Sequence, residues 1–194
     1  MADALPMATR DKLAPTELGD LRRHTRVADG AASTFPQLVA QHQARVAGLA
    51  YRLLGWRADV EDVVQDVFVT ALEYLPGFRG DCRLDTWLYR LTVSQCRRER
   101  RRRFFRWRLL RAARDEAEPP APGAAETQER AAEVRAAVRS LPQRYREVVV
   151  LRYLEDLPIE EIALILGLRR NAVEVRLTRA RERLRQMLGQ WDED

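Results

Sequence analysis

The chain has 194 residues and a formal net charge of +5, from 34 Lys+Arg against 29 Asp+Glu, a length that permits one large domain or two small ones. No run of about 18 apolar residues is present to span a bilayer, and Met1–Leu21 carries Asp3, Arg10, Asp11, Lys12, Glu17 and Asp20 where a signal peptide needs an apolar stretch, so a cytoplasmic protein without membrane insertion is expected. Cys82 and Cys96 cannot build a disulfide framework and form no zinc spacing with His24 and His42, so neither a metal nor thiol chemistry is expected.

Lys12 is the only lysine, and the other basic residues are arginines placed unevenly. Residues 1–96 are nearly balanced, 97–114 hold ten Arg against Glu99 alone, 115–168 are net acidic, and 169–194 are net basic again. Two positive segments separated by a negative one suggest two places that meet phosphate, with something else between them.

In chain order, residues 1–32 show little periodicity and are expected to form a mobile arm. A cap at Ser33–Thr34 should start a first helix, in which Phe35, Leu38, Val39, His42, Val46, Leu49, Ala50, Leu53 and Leu54 recur at helical spacing up to Gly55. Asp59, with Asp62 at the third position, should cap a second helix whose apolar stripe is Val60, Val63, Val64, Val67, Phe68, Ala71, Leu72 and Leu75. Pro76–Gly77 stops it. Asp62, Gln65, Asp66, Val69 and Glu73 then face outwards, acidic and polar groups around one valine, which suits a basic partner helix.

A loop from Phe78 to Arg83 leads into a third helix that buries Leu84, Leu88 and Leu91 and runs on into the arginine tract. Thr86, Tyr89, Arg90, Val93 and Arg97 should face out, with Trp87 at the edge. Aromatic rings interleaved with arginine suit single-stranded DNA, since rings stack on unpaired bases, at about 1–3 kcal/mol per base, and guanidinium groups neutralise phosphate. Phosphate contact is also the natural use of the tract from Arg97 to Arg114. Residues 115–127 are acidic, rich in Pro and Ala and without a large apolar residue, which reads as a flexible linker.

Helical patterning resumes near Gln128, breaks at Leu141–Pro142 and continues through Val148, Val149, Leu151 and Leu154 to Glu155. From Pro158, a short helix with Ile159, Ile162, Ala163 and Leu166 inside, a turn at Gly167 and a second helix form a helix-turn-helix pattern. Asn171 with Glu174 reads as a capping box for the second helix. Val173, Leu177, Ala180 and Leu184 lie on one side of it. Asn171, Val175, Thr178 and Arg179 point the opposite way, with Arg170, Arg176 and Arg183 flanking, as a major-groove reader requires. The expected fold is therefore all-α, with an arm over 1–32, a helical domain over 33–114, a linker over 115–127 and a helix-turn-helix domain over 128–194.

Residues 35–190 resemble the bacterial sigma factors of the extracytoplasmic-function group, which keep only the second and fourth conserved regions. Asp59-Val-Glu-Asp-Val-Val-Gln-Asp-Val-Phe68 is similar to the polymerase-binding helix of that family. Phe78-Arg-Gly, followed by Thr86-Trp-Leu-Tyr-Arg-Leu91, is similar to its promoter-melting segment. Leu141-Pro-Gln-Arg-Tyr-Arg-Glu-Val-Val-Val-Leu-Arg-Tyr153, the helix-turn-helix and Arg176-Leu-Thr-Arg-Ala-Arg-Glu-Arg-Leu184 are similar to its fourth region. The chain departs at Asn171-Ala-Val-Glu-Val175, where the family usually has Gly-Thr-Val-Lys-Ser, and at Ser94, where an Asn is common.

The resemblance implies a region 2 domain that binds the clamp helices of the largest subunits of core RNA polymerase through Asp62, Gln65, Asp66, Val69 and Glu73. It implies −10 promoter contacts from Phe78, Arg79, Arg83, Thr86, Trp87, Tyr89, Arg90, Val93 and Arg97, the loop holding a flipped base. It also implies −35 contacts by a region 4 domain through Arg170, Asn171, Val175, Arg176, Thr178, Arg179 and Arg183. An anti-sigma factor that traps the two domains as a closed pair is a further implied partner. No nucleophile–base pair, phosphate-cradling glycine loop or metal set is present in the sequence, so no enzyme activity and no cofactor are expected. A stand-alone helix-turn-helix regulator and an arginine-rich RNA-binding protein are the rival readings.

Overall fold

The computed structural model describes residues 35–56, 58–78, 80–111 and 126–189. The expected arm, the cap at Ser33–Thr34, Arg79 and most of the expected linker lie outside the described residues. Among the described residues every regular element is helical: α1 (Phe35–Leu54), α2 (Val60–Tyr74), α3 (Leu84–Arg111), α4 (Glu126–Ser140), α5 (Gln143–Val149), α6 (Ile159–Leu166) and α7 (Arg170–Leu188). A 3-10 turn, Leu75–Gly77, finishes α2 around Pro76, and α5 continues into a π-helical turn, Val150–Leu154.

In the N-terminal half, α1 buries Leu38, Val46, Leu49, Ala50, Leu53 and Leu54, positions three and four apart that make one stripe. Val63, Val64, Val67, Phe68 and Ala71 of α2 close on that stripe from one side, and Leu88 and Leu91 of α3 from another. Leu72, assigned by its spacing to the stripe, stands exposed at the rim instead. Asp59 does occupy the N-cap position of α2 but makes no capping hydrogen bond. Its carboxylate accepts the Trp56 indole N–H at 2.6 Å and lies 3.5 Å from Arg103, which compete for the same oxygens.

In the C-terminal half, α4 starts at Glu126, two residues earlier than the linker's composition suggests, so that Glu126 and Thr127 join its first turn. Leu141–Pro142 separates α4 from α5. Gly167 ends α6 with φ 65° and ψ 39°, the left-handed conformation that glycine adopts without Cβ strain. The first turn of α7 corrects the capping box: its N-cap is Arg169, without a side-chain cap, and Arg170 begins the helix. With Leu168 and Arg169 completing the turn, Asn171 is already helical. Glu174 accepts from Arg170 Nε at 3.0 Å rather than closing a box.

The two halves share one continuous apolar core. Tyr89, Val93 and Cys96 of α3 join Val148, Val150 and Leu151 around α5, and Ile162, Ile165 and Leu166 of α6. Helix α3 packs on α6, and α1 touches α4, α5 and the π turn. Gly55 shows how close the approach is. Its φ is +86°, and a Cβ there would come within 3.1 Å of the Arg139 side chain on α4.

Arg146 fastens the same seam. It is 5% exposed and donates to the carbonyls of Leu53 at 3.1 Å and Leu54 at 3.3 Å, where α1 ends, as well as to Val138, Leu141 and Arg139 on its own half. A buried guanidinium survives only when its N–H groups are satisfied in this way. Burial, then the nearby charge of Arg100, pushes its pKa down to about 10.

Candidate nucleic-acid and partner interfaces

The outer face of α2 carries the five residues predicted for it. Asp62, Gln65, Val69 and Glu73 are exposed and Asp66 is half-buried. On one flank, Gln65 and Val69 line an open groove of about 820 Å³ between α1 and α2, with Phe35, Val39, Tyr51 and Leu72. On the other flank the arginine tract of α3 returns alongside: Arg102 lies 3.8 Å from Asp66, and Arg106 lies 4.0 Å from Asp59. The tract is therefore not wholly available to phosphate. Arg97, Arg102, Arg103 and Arg106 are held by carboxylates of the chain itself, while Phe104 and Phe105 stand exposed beside them with ring centroids 6.0 Å apart.

The outer face of α3 does turn away from α1 and α2, but it is not open to solvent. Thr86, Tyr89 and Val93 are 4%, 3% and 1% exposed, because α5, the π turn and α6 cover them. Three polar groups on this face meet glutamates of the C-terminal half. Thr86 donates to Glu161 at 3.2 Å, Tyr89 donates to Glu155 at 2.8 Å, and Arg97 grips Glu147 with two N–H groups at 2.9 and 2.7 Å. Arg52 of α1 holds the other oxygen of Glu155. Desolvation, then the hydrogen bond to Glu155, raises the Tyr89 phenol pKa to about 12.

Trp87, predicted at the edge, is buried and packs its ring 5.0 Å from Phe78 at 40°. Phe78 thus anchors the loop instead of projecting from it. Arg83 is exposed and Arg90 half-exposed, and Arg79 lies outside the described residues. All three rings assigned to this surface, Phe78, Trp87 and Tyr89, are buried in packing, while Arg83 and Arg90 reach solvent.

On α7, Val173, Leu177 and Ala180 are buried, and Asn171, Val175, Thr178 and Arg179 are exposed on the opposite side, as the spacing predicts. Arg170 and Arg183 are exposed at the flanks and Arg176 is half-exposed. Arg170 also lies 2.9 Å from Glu160, and its pKa is raised, first by the hydrogen bond to Glu174 and then by the charge of Glu160.

A concavity of about 390 Å³ opens beside Asn171, Val175, Arg176 and Arg179, and its far wall is Arg144 and Tyr145 at the start of α5. Sequence reasoning missed these two. They sit some 26 residues before α7, and nothing in linear spacing assigns them to its face. The acidic cover of α3 was also missed, although the net negative charge of residues 115–168 was a signal for it.

Residues 38–105 match the family model of sigma-70 region 2, and residues 131–184 that of sigma-70 region 4. The ECF RNA polymerase sigma factor SigE of Mycolicibacterium smegmatis is 37% identical over 168 residues, 82% of this chain, which spans 63% of that relative's length. The ECF RNA polymerase sigma-E factor of Escherichia coli is 35% identical over 168 residues, covering 81% of this chain and 87% of that protein. Among solved structures, CnrH in complex with the cytosolic domain of CnrY aligns with a TM-score of 0.59 at 32% identity, covering 84% of this chain and 92% of that one. The fold of the sigma factor RpoE from Bartonella quintana, solved with the anti-sigma factor NepR, aligns with a TM-score of 0.65 at 23% identity over 82% of this chain and 98% of that one.

Proposed function

We propose how the work of transcription initiation is divided within this chain, which belongs to the extracytoplasmic-function sigma factors of RNA polymerase. Core polymerase, through the clamp helices of its largest subunits, takes the acidic face of α2: Asp62, Gln65, Asp66, Val69 and Glu73. Helix α7 reads the −35 duplex. Arg179 is the bidentate candidate for guanine, Val175 offers apolar contact to a thymine methyl, and Arg170, Arg176 and Arg183 neutralise phosphate. The loop Phe78–Arg83 and the outer face of α3 take the unpaired −10 strand, with Arg79, Arg83, Thr86, Tyr89, Arg90, Val93 and Arg97 at the contact and Trp87 supporting it. Residues 33–114 form the melting unit, 115–127 a strap and 128–194 the duplex-reading unit.

The observation that carries this reading is the pairing of Thr86, Tyr89 and Arg97 on α3 with glutamates of the other half. Glu147, Glu155 and Glu161 stand where DNA phosphates and bases would stand, so the described arrangement is a closed form in which the −10 surface is occupied by the chain's own acid groups. Binding of polymerase separates the halves and frees that surface. An anti-sigma factor would act by holding them together, and CnrH, the relative solved with the cytosolic domain of CnrY, makes such a partner the natural one here. The chain supplies specificity in the cytoplasm and the polymerase supplies the chemistry, so no catalytic residue and no cofactor belongs to it. Among the described residues no helix is long and apolar enough to cross a membrane.

In vitro transcription with purified core polymerase tests this. Addition of the chain should make core start at a defined promoter and protect both elements. Tight duplex binding without polymerase, and no promoter-specific start with it, would instead indicate a stand-alone regulator.

A further inference from the structure

Tyr145 has two environments. Its ring belongs to a small core cluster with Leu141, Val149 and Ala180 and is 3% exposed, which fixes its position rigidly. Around the same ring stand guanidinium groups from two helices: Arg144 at 4.8 Å and Arg183 at 5.2 Å from the centroid. Tyr145 also lines the concavity that Arg144, Asn171, Val175, Arg176 and Arg179 share. Cations over an aromatic face are attracted to its quadrupole. Long arginine side chains otherwise scatter over many rotamers, and holding them in place before DNA arrives reduces the entropy lost on binding.

We propose that Tyr145 is the positioning residue of the duplex-reading surface, a rigid phenol that orients Arg179 towards base edges and Arg144 and Arg183 towards the backbone. The inference rests on the reading of α7 as the −35 helix. The electrostatics agree with it: desolvation alone would raise the phenol pKa, but the hydrogen bond to Arg179 and the charges of Arg144 and Arg183 hold it below the ordinary tyrosine range. On this proposal the hydroxyl, on the wall of the concavity that Arg179 also lines, is the acceptor that orients Arg179, and the ring is the platform for the other two. Arg144 thereby becomes a phosphate-binding residue contributed from outside the helix-turn-helix.

The test uses the full chain with core polymerase and a selection from randomised −35 sequences, comparing wild type, Tyr145→Phe, Arg179→Ala and the double variant. Phenylalanine keeps the ring and its packing and removes only the hydroxyl. Tyr145→Phe should reduce base preference about threefold to tenfold at the position read by Arg179, leave the other positions and the salt slope unchanged, and add nothing to Arg179→Ala. Wild-type preference in Tyr145→Phe, alongside lost preference in Arg179→Ala, overturns the positioning role while leaving α7 as the reader. Unchanged preference in Arg179→Ala overturns the reading of α7 and the proposal with it. A uniform loss at every position together with a lower melting temperature shows a packing role only, and also overturns it.

Discussion

The Tyr89 hydroxyl donates a 2.8 Å hydrogen bond to Glu155 across 66 residues of sequence, joining the surface proposed to hold the −10 strand to the half proposed to read the −35 element. With Arg97–Glu147 and Thr86–Glu161, it forms a polar seam laid over an apolar one. Breaking a buried ion pair by removing one partner costs about 3–5 kcal/mol, because the other charge stays behind unpaired. Glu147→Ala with Glu155→Ala should therefore shift the chain towards an open form. Fluorescence transfer between labels on α2 and α7 should fall, and affinity for a single-stranded −10 oligonucleotide should rise about tenfold or more. Unchanged transfer and affinity would mean that the glutamates do not close the surface.

The same hydrogen bond gives a pH dependence. The Tyr89 phenol is raised by burial, and then by Glu155, to about 12 from an ordinary 10.0. A group whose pKa is higher in the closed form favours that form while it is protonated, so its contribution is complete below about pH 10 and lost as pH rises through about 12. Closure in wild type should weaken across that window, and the change should be smaller in Tyr89→Phe, which has no proton to lose. Identical pH profiles for the two proteins would show that Tyr89 does not contribute.

Polymerase affinity should depend on the outer face of α2. Asp62→Arg with Asp66→Arg replaces attraction by repulsion for a basic partner and should weaken core binding by about tenfold or more. The fold should persist, since the Asp66–Arg102 contact is exposed and such pairs are worth about 0–1 kcal/mol. Core affinity by anisotropy, with circular dichroism as the control, decides this; wild-type affinity in a folded variant would move the polymerase site elsewhere.

Within α7, Arg176→Ala should weaken all promoters alike and lower the salt slope by about one contact, whereas Arg179→Ala should relax a single −35 position. Competition between promoters at several salt concentrations separates the two. Equal effects of both variants on every promoter would mean that Arg179 reads no base.

Arg146 should be the costliest residue to truncate in the C-terminal half. Arg146→Ala takes this donor from the carbonyls of Leu53 and Leu141 and leaves that of Leu54 with Arg100 alone at 3.4 Å, and each lost partner of a buried polar group costs about 1–3 kcal/mol. The expected outcome is a lower thermal midpoint together with looser association of the halves. An unchanged midpoint would show that water replaces the guanidinium at no cost.

Much of this architecture is legible in the sequence because apolar periodicity reports on packing within a helix pair. The stripe from Leu38 to Leu54, the inward Val173–Leu177–Ala180 face and the left-handed Gly167 all follow from spacing and residue type. The cover of α3 does not, because its outer face carries Thr86, Tyr89, Val93 and Arg97, a composition that reads as solvent- or ligand-facing. Partners 50 to 75 residues away are invisible to a local period. Caps failed for a related reason. Asp59 and Asn171 have the right chemistry, but Trp56 and Arg103 claim the first, and the turn after Gly167 places the second two positions past the N-cap of α7. Tyr145 is a core aromatic, and its proposed second use depends on α7 passing beside it, which no local period reports.

Cys96 provides this molecule with its own clock. The thiol is 2% exposed, and burial, followed by the charge of Glu147 from the opposite half, raises its pKa above the ordinary cysteine range, so reactive thiolate is scarce while the halves stay together. Parting them removes that carboxylate and exposes this side of α3. Cys82, half-exposed on the loop, serves as the internal reference. The alkylation rate of one relative to the other would time each opening event in unlabelled, unmutated protein.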